Sequence, residues 1–253
     1  MSAQAFSRWQ AAGTHLLICL ATAVVVVTLM LAFWYPRPLF EAARGSNLLF
    51  ILVGVDAALG PLLTLIVFKS GKRGMKLDLT LIGLVQIAAL VYGVYVVALA
   101  RPAFIVFVKD RFELVTVVEL APGDLAAAKY AEFRSVPWGG PLLAAADFPA
   151  DPAERRQLID LALAGRDLQH FPRYYAPYSQ RSSEVLAKAH AIARLRATEP
   201  ATARVVDEYL AASGTRAEDV RCLLLRTRFA WIAVLVDPQT AQPVKMLLGE
   251  RIQ

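Results

Sequence analysis

The sequence predicts a membrane α-helical part of three transmembrane helices, followed by a C-terminal extracytoplasmic α+β domain. Three observations carry this reading. Residues 14–35, 47–68 and 79–99 are apolar runs of 21 or 22 residues, enough at 1.5 Å per residue to cross a hydrocarbon core of roughly 30 Å. Charge is distributed unevenly: residues 1–100 hold seven Lys/Arg and three Asp/Glu, residues 101–253 twenty and eighteen. Beyond residue 101 the apolar pattern runs as strands, then helices, then strands, the order of an α+β domain. Overall, 57% of the chain is hydrophobic and 19% charged. That composition excludes a disordered chain and a single soluble domain.

The membrane part covers residues 1–100. The first run, 14–35, has no formal charge. It is too long for a signal-peptide core, and no small-x-small cleavage site follows it. Trp34 and Tyr35 close it as interfacial anchors, so it reads as a retained span. The second run, 47–68, carries Asp56, and the third, 79–99, is uncharged. The loop at residues 69–76 between them bears Lys69, Lys72, Arg73 and Lys76 with no acid, and the positive-inside rule places it in the cytoplasm. The N-terminus is then cytoplasmic. Residues 36–46 and the domain at 101–253 lie outside, in the periplasm of a two-membrane host. The cytoplasm sees about 13 N-terminal residues and a short loop, too little for a kinase or cyclase output. The outer domain has a net charge of only +2, no footprint for nucleic acid.

An ionisable residue inside a span costs about 2.5–3.5 kcal/mol, which singles out Asp56. It sits among Gly54, Ala57, Ala58, Gly60 and Pro61, small residues that let another helix approach. Pro61 removes a helical hydrogen bond from the Ala57 carbonyl. An antiparallel pairing of spans two and three, with Phe68 opposite Leu77, sets Asp56 near Ala89. Gln86 and Tyr92 then lie one turn to either side. Asp56 is thus either internal glue bonded to Gln86 or Tyr92, or a group that meets a polar atom on a partner's membrane helix. An aspartyl-protease dyad is not available, because Asp78 lies roughly 18 Å away along the helix axis.

In the outer domain, residues 103–108 and 112–120 read as a hairpin around Lys109, Asp110 and Arg111. Residues 126–133 read as a short helix, and 136–152 as loop. Residues 153–164, 183–197 and 201–212 have helical spacing, with Gly165 and Gly214 as stops after the first and last. Residues 221–228, 229–237 and 244–248 read as strands. The segment with Arg173, Tyr174, Tyr175 and Tyr178 is either an outer recognition surface, since Tyr and Arg favour interfaces, or core packing. No catalytic, cofactor-binding or metal-ligating set is found: His15, His170 and His190 stand alone, and no nucleotide loop or nucleophile elbow occurs. Cys19 and Cys222 read as buried free thiols.

Arg8-Trp9, His15, Trp34-Tyr35-Pro36 with Leu39-Phe40, the stretch from Val55 and Asp56 through Gly60-Pro61 to Thr64, Lys69 to Lys76 with Asp78, Arg101-Pro102 and Asp110-Arg111-Phe112 together resemble the type IV pilin accessory proteins of the TfpX/TfpZ type. The resemblance covers the first 115 residues well. In the outer domain it rests on element order and on residues 232–237. It implies an inner-membrane protein of Gram-negative bacteria, encoded beside a pilin and aiding its assembly into pili. A multi-pass anchor with an outer domain and no chemistry suits that role, as a partner that binds type IV pilin through its membrane helix and globular head and assists or modulates assembly. It implies no enzyme and no cofactor. The competing expectation is a membrane-anchored pilin-modifying or processing enzyme with an unrecognised periplasmic site. A polar pocket with shifted pKa values would favour the enzyme; a shallow apolar groove or exposed sheet edge would favour the binder.

Overall fold

A computed structural model describes residues 7–69 and 72–251, and for residues 48, 51, 52, 56, 250 and 251 the backbone alone. The chain divides into two compact units, Met1–Ala32 with Gly45–Leu99, and Phe33–Arg44 with Ala100–Gln253.

The first unit is helical. α1 (Arg8–Phe33), the short α2 (Leu39–Ala42) that follows it in the chain but belongs to the other unit, α3 (Gly45–Val67) and α4 (Met75–Ala100) run in that order. Among the described residues, α1 and α4 are long and apolar enough to cross a membrane by length and composition, with mean hydropathies of 2.9 and 2.2. Their outward faces are apolar too: Leu17, Ile18 and Val24 on α1, and Leu81, Ile87 and Val91 on α4, are exposed. An exposed apolar face of that extent is compatible with a membrane. α3 is a 23-residue helix with Pro61 inside it. The contacts between these helices use small and polar groups. His15 Nδ1 meets Thr64 Oγ1 at 2.5 Å, and Gln86 Nε2 lies 3.4 Å from Cys19 Sγ. A Cβ at Gly60 would collide with that same Gln86 nitrogen, so only glycine admits Gln86 there. The antiparallel register expected from the loop puts Gly60 opposite Val85, one residue from where Gln86 stands. At Gly54 a Cβ would meet nothing within 4 Å, so the close approach runs along Gly60 and Thr64, not along the Gly54–Ala57–Pro61 stripe.

The second unit is a mixed sheet covered on both faces. Its elements in chain order are β1 (Pro102–Val108), β2 (Arg111–Thr116), α5 (Pro122–Ala126), β3 (Leu142–Ala146), α6 (Pro152–Leu163), β4 (Tyr175–Pro177), α7 (Ser182–Lys188), α8 (Ile192–Thr198), α9 (Pro200–Ser213), β5 (Arg221–Arg226), β6 (Ala230–Val236) and β7 (Pro243–Arg251), with short 3-10 turns between. The strand order is β4-β3-β1-β2-β5-β6-β7. β1 pairs antiparallel with β2 and parallel with β3. β2 and β5 run parallel, with Phe112 opposite Leu225 and Glu113 opposite Arg226.

Alternation sorts the side chains. Ile105, Phe107, Ile232, Val234 and Val236 face one side, where Leu39, Ala42, Tyr178 and Val185 cover them. Phe104, Val106 and Val108 face the other side under Phe133, Leu168 and Tyr175. Ala233 and Leu235 share that second side with Ile192, Leu195 and Val206 of α8 and α9. β1 is buried along its whole length, as a central strand with two covered faces should be.

Several elements depart from the sequence reading, each for a packing reason. Residues 142–146 are a strand and not loop: Ala144 and Ala145 are fully buried on opposite faces, and a small side chain fits at Ala144 because the aromatic trio Phe104, Phe133 and Tyr175 fills the space on its face, with ring centroids 5.4–5.9 Å apart. The expected helix at 183–197 is two helices. Val185 packs on one face of the sheet and Ile192 on the other, which one straight helix cannot do. The break is fixed by His190, whose backbone exchanges hydrogen bonds of 2.9 and 2.8 Å with Cys222. Helix at 126–133 is replaced by α5 and a 3-10 turn at Ala131–Phe133, and β2 ends at Thr116 in a capping box closed by Glu119.

Candidate functional site

The residues between α1 and α3 form one wall of the candidate site. Leu39 and Ala42 are each 1% exposed and belong to the core that Ile105, Ile232 and Val234 form. Arg44 stacks its guanidinium 5.2 Å from the Phe229 ring. In this unit an open groove of about 410 Å³ runs beside α2. Its lining includes Pro36, Leu39, Ile105, Leu143, Val244 and Met246, with Arg37 and Lys245 as its cations. One wall is the start of β7, which ends the strand order and exposes Val244 by 57%. An edge strand keeps one row of backbone donors and acceptors free for pairing. The arrangement can therefore take an apolar or extended polypeptide segment.

A second cavity, of about 260 Å³, opens where β2 and β5 diverge. It is lined by Asp110, Arg111, His190, Arg194, Glu199, Cys222 and Trp231, among others. Burial is the main cause that lowers the His190 imidazole from its ordinary range. Burial pushes the Cys222 thiol up to about 12, so at neutral pH it stays a thiol and a poor nucleophile. His170 lies elsewhere. Its Nδ1 accepts the Asp167 backbone N–H at 3.1 Å, and its Nε2 sits 3.9 Å from Glu119. Burial first of all holds this imidazole below its usual range. The pair ties residues 167–170 to the end of β2. Among the described residues, no group of three His, Cys, Asp or Glu side chains is placed to hold a metal ion.

The proposed outer recognition surface is largely interior. Tyr175 is 1% exposed and Tyr178 4%. The Tyr175 hydroxyl donates to the Gln169 carbonyl, and the Tyr178 hydroxyl donates to the Ala241 carbonyl at 2.6 Å. Burial raises both phenols, Tyr178 to about 12. Only Arg173 is exposed, and it caps the cluster by stacking 4.8 Å from the half-buried Tyr174 ring. Of the intramembrane candidates, Gly60 and Gln86 touch. Pro61 is half-buried, and Tyr92 is 68% exposed on α4. The Asp56 side chain lies outside the described residues, so the structure does not place it against Gln86 or Tyr92. Sequence reasoning missed the part of residues 36–46 in the domain core. The signal was there: Leu39, Ala42 and Ala43 share one helical face, while Glu41 and Arg44 lie off it.

Comparison with known proteins supplies the family. A family model described as "Fimbrial assembly protein FimB" matches residues 3–44, the segment that spans α1 and α2. The Dichelobacter nodosus protein described as "Fimbrial assembly protein, serogroup I" is 32% identical over 185 residues, covering 72% of this chain and 71% of its own length. The serogroup E1 protein of the same organism is 30% identical over 184 residues, with the same coverage of both chains. This chain belongs to the fimbrial assembly protein family. The protein of serogroups C1 and C2 is 35% identical over 115 residues, 45% of this chain and 84% of its own. No solved structure matches. The stretch matched by the family model holds Arg8-Trp9, His15, Trp34-Tyr35-Pro36 and Leu39-Phe40, on which the resemblance to pilin accessory proteins partly rests.

Proposed function

We propose that this protein is a multi-pass inner-membrane accessory factor that binds type IV pilin and assists or modulates its assembly into pili, without catalysing a reaction. Membership of the fimbrial assembly family carries the reading. A pilin before assembly offers an apolar helix in the membrane and a globular head outside it. A protein with membrane helices and an outer groove can hold both, and two-point contact raises the effective concentration of the second contact.

Three spans and a periplasmic domain belong to the same proposal, and chain connectivity supports them. Leu39 and Ala42 share one core with β1 and β6, so the chain leaves that domain near Arg44 and returns at Ala100. The stretch between must cross a bilayer an even number of times. If α4 crosses, so does α3, whose 23 residues measure roughly 34 Å. The basic loop at 69–76 then faces the cytoplasm. A reporter active only in the periplasm is expected to work after Gln253 and to fail within residues 69–76; activity at 69–76 would invert the topology.

Photo-cross-linking in the membrane tests the binding itself. Photoreactive side chains at Val244 in the groove and at Tyr92 on α4 are expected to capture the cognate pilin. Capture at neither position, with normal protein levels, would refute pilin binding at these surfaces. Asp56→Asn keeps size and hydrogen bonding and removes any charge. It is expected to lower pilin co-purification at normal protein levels, as recognition requires. Unchanged co-purification would leave Asp56 as internal glue, with a stability loss of about 1 kcal/mol or less, since membrane hydrogen bonds average about 0.6 kcal/mol.

A further inference from the structure

Trp138 is 84% exposed, a large apolar ring held in water in a domain whose other aromatic rings are mostly buried or half-buried. Its loop is not adrift. The Pro137 carbonyl accepts a hydrogen bond from the Arg101 guanidinium at 3.1 Å. The same guanidinium lies 5.3 Å from the Trp34 ring. Gly140 rests against Pro36, where a Cβ would come within 3.5 Å of the proline ring. Trp34 is the residue after the end of α1, and Arg101 the residue after the end of α4. Loop 136–141 is thus bolted to both points where the chain leaves its long apolar helices. Tryptophan has an apolar body and one N–H donor, and it partitions to the headgroup level of a bilayer. The two residues after it, Gly139 and Gly140, add no bulk that would hold the ring off a lipid surface.

We propose that Trp138 is a lipid-interface anchor: with Trp34 and Arg101 it seats the sheet domain on the outer leaflet of the membrane that α1 and α4 cross. The proposal rests on the spanning reading above. It deepens that reading by naming a lipid contact in the domain itself. Seating the domain in this way fixes the height of the α2 groove above the bilayer, where a membrane-held partner's head would reach it.

The test uses the full chain in vesicles of phosphatidylethanolamine and phosphatidylglycerol, with a phosphatidylcholine brominated near the headgroup end of its acyl chains as quencher. The chain has four tryptophans; single-tryptophan variants keep Trp34, Trp138 or Trp231, with phenylalanine at the other three. Trp231 is the control away from the interface. Its ring stacks 5.9 Å from Arg111, which pairs with Val108, and Val108 stands roughly 20 Å along β1 from Pro102. Trp34 and Trp138 are expected to lose emission to the brominated lipid to a similar extent and to resist aqueous iodide. Trp231 should do neither. Quenching of Trp34 by lipid with Trp138 open to iodide would overturn the anchor alone. Failure of both to sense lipid would overturn the spanning reading and the anchor with it. If the triple substitutions unfold the chain, Trp138→Cys carries a nitroxide instead, since Cys19 and Cys222 are buried. Relaxation by oxygen above that by a water-soluble nickel complex is then the supporting result, and the reverse order overturns the anchor.

Discussion

Leu39→Ala is expected to destabilise the C-terminal sheet domain, although Leu39 lies about sixty residues before its first strand. The side chain is 1% exposed and packs in a core with Ile105, Ile232 and Val234. Truncating a buried leucine removes its transfer free energy and leaves a cavity, at about 2–5 kcal/mol. For a domain of this size that lowers the melting temperature by on the order of 10 °C. The measurement is thermal unfolding of the detergent-solubilised protein, read by near-ultraviolet circular dichroism. Leu17→Ala on α1, where Leu17 is 69% exposed, is the control and should leave the domain transition unmoved. A fragment that begins at residue 101 lacks Leu39 and Ala42 altogether, so it should melt lower than the full chain. Equal melting of Leu39→Ala and the parent would show that α2 does not belong to this core in solution.

The same residues explain how far sequence reading reaches. Long apolar helices were legible because their signal is local: length and hydropathy suffice. The β1–β2 hairpin was legible because β-rich runs flank a charged turn. The contribution of α2 was not, since four residues between two apolar runs look like connector until the sheet they cover is known. β3 was missed for a related reason. Alanines have low strand preference, and the aromatic rings that make a small residue the right size at Ala144, those of Phe104, Phe133 and Tyr175, are distant in sequence. The tyrosine segment had two readings, recognition surface or core packing, and its burial favours the second. Tyr and Arg clusters are favoured at interfaces, but Tyr175 and Tyr178 each find a backbone carbonyl for the hydroxyl, and so can be buried. Within the helical unit, Gly60 meets Gln86, one residue from the position that antiparallel counting from Phe68 and Leu77 sets opposite it, whereas the sequence singled out Gln86 as a partner for Asp56.

The largest electrostatic effect is expected at the seam between β2 and β5. These strands pair in parallel at Phe112 with Leu225 and Glu113 with Arg226. The Glu113 carboxylate accepts from Arg226 Nε at 2.9 Å. The acid is nearly enclosed, with a side chain 10% exposed, while that of Arg226 is 45% exposed. Burial is the main influence on Glu113 and raises its pKa; the hydrogen bond and charge of Arg226 pull it back down. Arg226→Ala removes that compensation and leaves a buried carboxylate at neutral pH, a loss of up to about 3 kcal/mol. The sign of its pH dependence follows from the raised pKa. A carboxyl whose folded pKa stands above its unfolded value favours the fold fully only below the unfolded value, and that contribution is lost as pH rises through the folded pKa. The gap in stability between parent and Arg226→Ala should therefore be widest near neutral pH. It should narrow as pH falls below the ordinary Glu value of about 4.3, toward pH about 3, where the acid is protonated in both states and needs no partner. Glu113→Gln in the same chain removes the charge and should restore most of the loss at neutral pH. Urea unfolding at both pH values for the two single variants and the double variant measures this. A gap that is constant with pH, or a double variant no better than Arg226→Ala, would mean that Arg226 acts by covering the seam with its aliphatic stem and not by neutralising Glu113.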